Sequence, residues 1–366
     1  MIKVPERIQN LKPYVAGKTI AEVKAMYGVS RISKLASNEN RLGCSPHVHA
    51  AVLASMEQIQ DYPDPLSRDL SAEISSRNSI DENEIIIAAG SESILSIICR
   101  TFGDGGSNIV TAEATFVGIF VQAGVMGIDV KKVPNSADFG YDTEGILEAI
   151  DDHTRMVYIA NPNNPTGTFI GKKKYGSLID RIPEDVLIIV DEAYYEYSKD
   201  LSEYPSALDY RRENVIVTRT FSKGYGLAGF RIGYAVADST VINQLMKCKL
   251  TFEPTAPAQA AAFAAIQDEN FLQKSVQLVE RERAKLYRFF EDKNTDFVKS
   301  ASNSVMMVFD FEKEAIDFTE KMLKNGVILR RLHAFGLPQC VRITIGTEKE
   351  MNHFKEVFSL IGQESD

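Results

Sequence analysis

The 366-residue sequence has few cysteines, no long apolar run and no dense basic segment. Its four cysteines, Cys44, Cys99, Cys248 and Cys340, stand far apart without a CxxC pair, which argues against a zinc site or a disulfide framework. Isolated thiols are typical of a reducing compartment. No segment reaches 18 apolar residues, and residues 1–18 lack the apolar core of a secretory signal. We therefore expect a cytoplasmic protein without a metal site.

The net charge of −9 argues against nucleic acid and anionic membranes as partners, because both attract strongly basic proteins. Any anionic ligand must then be held by local positive charge. Hydrophobic residues make up 44% of the chain and charged residues 25%, which is the composition of an ordinary globular protein. A chain of this length has room for a large domain and a smaller one.

Short β-branched segments alternate with helix-compatible stretches in the middle of the chain. The strand-like segments are 84–89, 108–112, 156–160, 186–190, 214–218 and 231–237. Helix-compatible stretches such as 91–102 and 142–150 separate several of them. This rhythm predicts an α/β fold with a mainly parallel sheet that helices cover on both faces.

The pattern changes after about residue 250. A long helical region is followed by strand-like segments at 305–311, 327–332 and 341–346, with helices between and after them. This arrangement predicts a smaller α+β domain. We divide the chain into an N-terminal segment that packs on the small domain (1–45), a large ligand-binding domain (46–250) and the small domain (251–366).

Polar residues follow four of the predicted strands at the point where each strand ends. In open α/β sheets, ligands bind beyond the carboxyl ends of the strands, so these residues are candidates for one site. The four groups are residues 90–93, 161–167, 191–194 and 219–223. Together they offer backbone N–H groups, an amide, a carboxylate with a phenol, and an amine with hydroxyls.

A G-x-G-x-x-G pattern at Gly224, Gly226 and Gly229 is similar to a dinucleotide-binding loop. That fingerprint needs a helix after the glycines and an acidic residue about twenty positions later. Here a strand follows the glycines, and the next acid, Asp238, comes too early. The glycines are better explained as the residues that let the backbone turn tightly behind Lys223.

The strand-end residues fit a pyridine-aldehyde cofactor. A Schiff-base lysine needs a depressed pKa, and Lys223 stands at a strand end among polar and cationic residues. Asp191 suits the ring nitrogen of such a cofactor, while Asn164 and Tyr194 can hydrogen-bond its phenolate oxygen. Phe116 can lie against the ring. The plainer alternatives are that Lys223 is a surface lysine, that Asp191 caps a helix and that Phe116 is a core residue.

A phosphate group on the cofactor would need N–H donors and positive charge. The start of the helix predicted at 91–102 supplies free N–H groups and the positive end of the helix dipole. Simple capping of that helix by Ser91 is compatible with this role. The candidate phosphate ligands are Ser91, Glu92, Thr220, Ser222 and Arg231.

The segments NPNNPTG, DEAY and TFSKGYGLAGFRIG resemble the signature segments of fold-type I pyridoxal-phosphate aminotransferases. More narrowly, the chain resembles the histidinol-phosphate aminotransferase family. LKPYVAGK, KLASNEN, YPDP, GSES and the segment at 326–347 appear in the order of that family, so the resemblance covers nearly the whole chain. It implies a fold-type I transferase with pyridoxal 5′-phosphate as cofactor.

The resemblance implies roles for individual residues. Lys223 forms the Schiff base with the cofactor and later carries a proton, and Asp191 pairs with the ring nitrogen. Tyr62 reaches the phosphate of the neighbouring subunit's cofactor, which implies a homodimer with shared active sites. A cis peptide bond is expected at 164–165. The other implied cofactor contacts are Asn164 and Tyr194 at the phenolate oxygen, and Ser91, Glu92, Thr220, Ser222 and Arg231 at the phosphate.

Two arginines resemble the substrate-anion residues of the family. Arg342 matches the general substrate-anion arginine, and Arg330 matches a second one that holds the substrate phosphate. Asn38, in the KLASNEN segment, is predicted to bind substrate together with these two arginines. A solvated arginine at a strand edge is the alternative for Arg330. Since side chains alternate along a strand, only one of Arg330 and Arg331 should face the site.

Some positions depart from the family pattern. Arg41 and Cys44 replace two prolines, YPDP is followed by LSRDL, and EATFVGIF has no tyrosine, although Phe116 can stack equally well. These departures lie near the substrate entrance in the family fold. They leave the cofactor chemistry intact and leave the amino donor open.

The sequence therefore predicts a ping-pong aminotransferase acting on L-histidinol phosphate and a 2-oxo acid such as 2-oxoglutarate. The rival interpretations are an aromatic or other amino-acid aminotransferase and a decarboxylase of a phosphorylated amino acid. A ligand-sensing domain without catalysis is disfavoured, because such sensors carry a DNA-binding module that has no place in this chain.

Overall fold

The computed structural model describes residues 2–11, 13 and 17–363. Within these residues, no helix is long and apolar enough to cross a membrane. The strands are β1 Ser33–Lys34, β2 Ile85–Ala88, β3 Asn108–Ala112, β4 Asp129–Val133, β5 Thr154–Ala160, β6 Leu187–Asp191, β7 Val215–Thr220, β8 Gly233–Val236, β9 Phe297–Val298, β10 Ser304–Val308, β11 Val327–Ile328, β12 Arg330–Leu332 and β13 Leu337–Thr344.

Short 3₁₀ turns connect some of these strands to longer α-helices. The α-helices are α1 Glu6–Gln9, α2 Ile20–Tyr27, α3 Pro46–Ser55, α4 Arg68–Asn78, α5 Ser91–Phe102, α6 Val117–Met126, α7 Thr143–Glu148, α8 Lys172–Arg181, α9 Tyr195–Ser198, α10 Ser239–Cys248, α11 Ala256–Gln267, α12 Glu269–Asp292, α13 Glu312–Lys324 and α14 Glu348–Gln363.

Seven strands form the larger sheet, in the order β2-β8-β7-β6-β5-β3-β4. The pairs from β7 through β4 are parallel, whereas β8 is antiparallel to both of its neighbours. Buried apolar residues of α5, α6 and α10 pack on one face, and those of α7 and α8 pack on the other. The predicted α/β class with a mainly parallel, doubly covered sheet is confirmed.

The topology brings several chain segments to one edge of this sheet. Strands β5, β6 and β7 run in the same direction, so Ala160, Asp191 and Thr220 end at a common edge. Because β8 runs in the opposite direction, its beginning just after Arg231 returns to that edge. Polar residues distant in the sequence are thereby gathered where an open α/β sheet binds ligands.

The C-terminal part of the chain forms a second, antiparallel sheet in the order β12-β13-β10-β9. Apolar residues of α12, α13 and α14 cover it. The N-terminal segment joins this part of the molecule, because β1 pairs in parallel with β11, Lys34 lying opposite Ile328. The limits of the three predicted regions stay a prediction.

Besides the short strands β1 and β9, which the sequence analysis does not predict, two local features differ from the sequence expectations. Strand β4 was not predicted, because its sequence DVKKV is polar and largely solvent-accessible, as suits the edge position that it occupies. The expected cis bond at 164–165 is wrong: the cis bonds are Asn161–Pro162 and Glu253–Pro254. The loop NPNNPTG contains two Asn–Pro steps, and the sequence pattern does not distinguish them.

Candidate active site

A pocket of about 210 Å³ opens at the edge where the strands end. Ten of the residues predicted to hold the cofactor lie in its wall. They come from separate segments of the chain, and the sheet topology alone explains their convergence. These residues are Ser91, Glu92, Phe116, Asn164, Asp191, Tyr194, Thr220, Ser222, Lys223 and Arg231.

Asp191 is the last residue of β6 and is only 4% exposed. Its carboxylate accepts hydrogen bonds from Tyr158 Oη at 2.8 Å and from the backbone N–H of Ala193 at 3.1 Å. Burial raises the pKa of Asp191, while the hydrogen bond from Tyr158 and the charge of Lys223 oppose this shift. The pocket therefore holds a carboxylate in a fixed orientation, away from water.

Lys223 follows β7 and lies in the wall of the same pocket. Its Nζ is 3.5 Å from the carbonyl oxygen of Ser37 and 5.8 Å from the ring centre of Tyr194. Loss of hydration lowers the pKa of Lys223 to about 8, with further lowering by the nearby charges of Arg342 and Arg231. The lowered pKa increases the share of neutral amine, which is the nucleophilic form.

The start of α5 forms a cradle without side chains. A Cβ at Gly233 would lie 2.7 Å from the backbone nitrogen of Ser91, and a Cβ at Gly90 would lie 2.8 Å from Nη2 of Arg231. Glycine at both positions therefore lets β8 and Arg231 approach the helix start closely. Free helical N–H groups beside a guanidinium form a site that suits a phosphate group.

Hydroxyl groups complete this cradle. Thr220 Oγ1 donates to Ser222 Oγ at 3.0 Å, and Arg231 Nη1 lies 3.4 Å from the same oxygen. Arg231 has a φ of 53°, in the left-handed region that an arginine seldom adopts. This backbone conformation accompanies the return of the chain to the sheet edge just before β8. The residues present thus fit a phosphorylated pyridine cofactor.

Tyr194 is held from behind by Asn38. The phenol of Tyr194 accepts a hydrogen bond from Asn38 Nδ2 at 2.8 Å, and burial raises the pKa of this tyrosine. Asn38 is 1% exposed and also donates to Ser304 Oγ at 3.1 Å. The structure places Asn38 behind Tyr194 rather than in the pocket wall, so its predicted contact with substrate stays a prediction.

The two predicted substrate arginines lie opposite each other on neighbouring strands. Arg330 of β12 is the register partner of Arg342 of β13, so both side chains leave the same face of the small sheet. Arg342 donates to Asn164 Oδ1 and, at 3.0 Å, to the carbonyl oxygen of Ala36. Its guanidinium therefore lies at the pocket, with Arg330 one strand further out.

Arg330 and Arg331 differ in their partners. Arg331 pairs with Glu312 at 2.8 Å. Among the described residues, the side chain of Arg330 has no hydrogen-bond or ion-pair partner. It lines a groove of about 970 Å³ that we call the rim groove. Its wall includes Lys18, Lys34, Ser37, Lys324, Arg330, Arg331 and His333.

Tyr62 lies outside the pocket of its own chain. Its side chain is 79% exposed and stacks on Phe252, with ring centres 4.1 Å apart. Phe116, in contrast, lines the pocket and also packs against the core of the large sheet. This position of Phe116 is therefore compatible both with a contact to the cofactor and with a role in the core.

A buried ion pair beneath the pocket was not predicted from the sequence. Glu192 Oε2 accepts hydrogen bonds from Nε and Nη2 of Arg219 at 2.9 and 2.7 Å, and both residues are at most 3% exposed. Tyr204 and the N–H of Ala207 donate to the other carboxylate oxygen. Removing one partner would leave a buried charge, at a cost of about 3–5 kcal/mol. The pair joins β6 and β7 next to Asp191.

Sequence reasoning named Asn38 but missed the contribution of its neighbours Ala36, Ser37 and Asn40. The carbonyl oxygens of Ala36 and Ser37 face Arg342 and Lys223, and Asn40 Nδ2 donates to the carbonyl oxygen of Gly224 at 2.9 Å. This segment does not follow a strand of the large sheet. The rule that ligands bind beyond the carboxyl ends of the strands therefore did not identify it. Its KLASNEN motif was the signal present in the sequence.

Comparisons with known proteins agree with this geometry. A family model described as "Aminotransferase class I and II" matches residues 30–358. The solved histidinol-phosphate aminotransferase from Sinorhizobium meliloti, in complex with pyridoxal-5′-phosphate, has a TM-score of 0.90 at 26% identity and covers 98% of this chain and 99% of its own. An aspartate aminotransferase from Thermus thermophilus with maleate shares the fold, with a TM-score of 0.83 at 22% identity over 98% and 100% of the two chains.

The fold and the site therefore define an aminotransferase of the fold-type I class. Among curated proteins, the histidinol-phosphate aminotransferase of Anoxybacillus flavithermus is 39% identical over 95% of this chain and 94% of its own. That of Bacillus subtilis strain 168 is 36% identical over 99% of both. The chain belongs to the histidinol-phosphate aminotransferase family.

Proposed function

We propose that this chain transfers an amino group between L-histidinol phosphate and a 2-oxo acid such as 2-oxoglutarate, with pyridoxal 5′-phosphate as cofactor. One observation carries the proposal. The pocket that holds Lys223 and Asp191 lies beside Arg330, a guanidinium without a partner among the described residues. Arg342, which donates to Asn164 of the cofactor pocket, and Arg330 leave the same face of the small sheet, one strand apart.

Different residues of the pocket would bind different parts of the cofactor. The cradle at Ser91, Thr220, Ser222 and Arg231 suits its phosphate, and Asp191 suits its ring nitrogen. When bound, pyridoxal phosphate supplies an electron-accepting ring that stabilises negative charge at the substrate's α-carbon. Further contacts to its ring and phenolate oxygen would come from Glu92, Phe116, Asn164 and Tyr194.

Lys223 would carry the proton at the substrate's α-carbon. The amine lies in the wall of the pocket, and its pKa of about 8 is close to the operating pH, which is where a positioned base works best. The buried carboxylate of Asp191 faces the same cavity and would keep the ring nitrogen protonated. Tyr158 and Ala193 hold that carboxylate in place.

The two arginines would bind different anionic groups. Arg342, at the pocket, suits the carboxylate of the 2-oxo acid, and Arg330, one strand further out, suits the phosphate of L-histidinol phosphate. Both half-reactions of a ping-pong cycle would then use one pocket, with the anionic end of each substrate at its own guanidinium.

We further propose a homodimer in which Tyr62 reaches the neighbouring subunit's cofactor phosphate. A tyrosine that is 79% exposed yet ordered against Phe252 is placed to contact another chain. The partners are small amines and 2-oxo acids. The domain division at residues 45 and 250 and a cytoplasmic location belong to the same proposal, the latter supported by four free cysteines.

A substrate panel tests the reaction. Purified enzyme with bound cofactor is mixed with histidinol phosphate, histidinol, phenylalanine or tyrosine, and the cofactor absorbance is followed. We expect the fastest change with histidinol phosphate, followed by recovery when 2-oxoglutarate is added. Preference for phenylalanine or tyrosine would indicate an aromatic aminotransferase instead. Release of carbon dioxide from a phosphorylated amino acid, without need for an oxo acid, would indicate a decarboxylase.

A further inference from the structure

Resting on the function proposed above, we propose that Lys34 is a second ligand of the substrate's phosphate, beside Arg330. The rim groove presents both side chains to the same space, about 970 Å³ in volume. Lys34 has no role in the pocket described so far, because its side chain does not line that cavity. Its place in the fold and its charged neighbours carry the inference.

The strand pairing brings Lys34 close to Arg330. Lys34 is the register partner of Ile328 in the parallel pair of β1 and β11. Arg330 follows Ile328 by two residues, and all three residues line the rim groove. Side chains two residues apart on an extended segment point to the same side, so Arg330 leaves the chain on the side of Ile328, the register partner of Lys34. A dianionic phosphate between them would meet an ammonium on one side and a guanidinium on the other.

Lys34 belongs to a row of alternating charges. Its Nζ is 2.7 Å from Glu39 Oε1, and the other oxygen of Glu39 is 3.9 Å from Arg41. Arg41 in turn contacts Glu350 at 2.7 Å. The side chains of Lys34, Glu39 and Arg41 are only 27–31% exposed, so solvent screens this row less than it would at an open surface.

This row leaves Lys34 with binding capacity. An ammonium group has three N–H donors, and Glu39 takes one of them. Glu39 is shared with Arg41, so its negative charge is not balanced by Lys34 alone. A proline at position 41, as in the family pattern, would remove this second cation. Arg41 therefore supports Lys34 as an anion ligand in this chain.

The test compares phosphorylated with unphosphorylated substrate. For each variant, kcat/KM is measured with histidinol phosphate and with histidinol, and the ratio of the two values is reported. We expect Lys34→Gln to lower this ratio about tenfold to a hundredfold, mainly through the KM for histidinol phosphate, because a charge-assisted hydrogen bond is lost. Lys34→Arg, which keeps the charge, should restore most of the ratio.

Glu39→Gln separates a binding role from a structural one. If Lys34 serves only as the ion-pair partner of Glu39, Glu39→Gln should lower the ratio as much as Lys34→Gln does. If Lys34 binds phosphate, Glu39→Gln should keep the ratio or raise it, because the ammonium is released. The matched control is Lys24→Gln, on the exposed surface of α2 and outside the groove wall, which should leave the ratio within about twofold.

Two results would overturn the inference. One is a Lys34→Gln ratio within about twofold of the wild-type value, and the other is an equal loss in Glu39→Gln. Failure of the proposed function is seen separately, in the unaltered enzyme: it would not prefer histidinol phosphate at all. An enzyme that does prefer this substrate, yet tolerates Lys34→Gln, keeps its proposed function and loses only this ligand.

Discussion

The cofactor pocket and the rim groove are built in opposite ways. The pocket is small, about 210 Å³, and Asp191, Thr220 and Ser222 in its wall are buried and hydrogen-bonded. The groove is larger, about 970 Å³, and its Arg330 has no partner among the described residues. A preorganised pocket suits chemistry that every substrate shares, whereas an open cationic groove suits selection of one anionic substrate.

Burial acts on the two key pocket residues in opposite directions. It raises the pKa of Asp191 and lowers that of Lys223, because low polarity disfavours the charged form of each group. The selectivity of the groove would come from the number and position of its cations. Changes in the pocket should therefore affect all substrates, and changes in the groove only the phosphorylated one.

The largest effect is expected from Lys223→Ala. The variant should lose activity toward every substrate by about 10⁴-fold, the upper end of what a positioned acid–base contributes. Single-turnover measurements with saturating cofactor check this result. Lys247→Ala, on α10, removes a lysine remote from the pocket and should leave the rate unchanged. Loss of activity toward histidinol phosphate alone would break the distinction between pocket and groove.

Asp191→Asn should be next, with a loss of about 10²-fold for all substrates, because the fixed negative charge in the pocket is gone. Tyr158→Phe removes only one hydrogen bond to that carboxylate and should cost about tenfold. It should also move the acidic limb of the pH–rate profile to higher pH, since this hydrogen bond lowers the pKa of Asp191. An unmoved limb would argue against Tyr158 as the positioning residue.

Arg330→Gln addresses the groove alone. The value of kcat/KM for histidinol phosphate should fall about tenfold to a hundredfold, while the value for phenylalanine changes little. The neighbouring Arg331→Gln is the matched control, because its guanidinium pairs with Glu312 and such exposed pairs contribute about 0–1 kcal/mol. Equal losses for the phosphorylated and aromatic substrates would favour the aromatic-aminotransferase alternative.

The smallest expected effect is on the pH dependence of cofactor capture by Lys223, which charges near the pocket and near the rim groove both influence. The apo-enzyme should capture cofactor faster as pH rises through about 8, because the neutral form of Lys223 is the nucleophile. The charge of Arg342 lowers this pKa and that of Glu39 raises it. Arg342→Gln should therefore shift the midpoint upward, and Glu39→Gln downward. Stopped-flow absorbance measures both midpoints, and shifts of the same sign would contradict the electrostatic account.

Sequence reasoning found the pocket more completely than the groove. Nine of the ten pocket residues end or follow a strand or begin α5, and Arg231 lies just before β8, so a topological rule and local motifs were enough to group them. Tyr158 was missed because it lies in the middle of β5, where an aromatic residue is ordinary core. Asn38 was grouped with the substrate residues, but the fold places it behind Tyr194.

The groove depends on contacts between distant segments. Lys34 and Arg330 are nearly 300 positions apart, and only the pairing of β1 with β11 brings them to one surface. No periodicity or spacing in the sequence reports such a pairing. The edge strand β4 was missed for a related reason, since its position in the sheet permits a polar sequence.

The sequence by itself determined the class of fold and the chemical groups of the pocket, because both follow from local periodicity and from what stands at each strand end. Tertiary structure alone decided which face each arginine presents, what holds Tyr194 and Asp191 in place, and which cations share the rim groove. The physical reason is that local patterns fix backbone conformation, whereas pKa values, ion pairs and the alignment of Arg330 with Arg342 arise only when distant segments pack together.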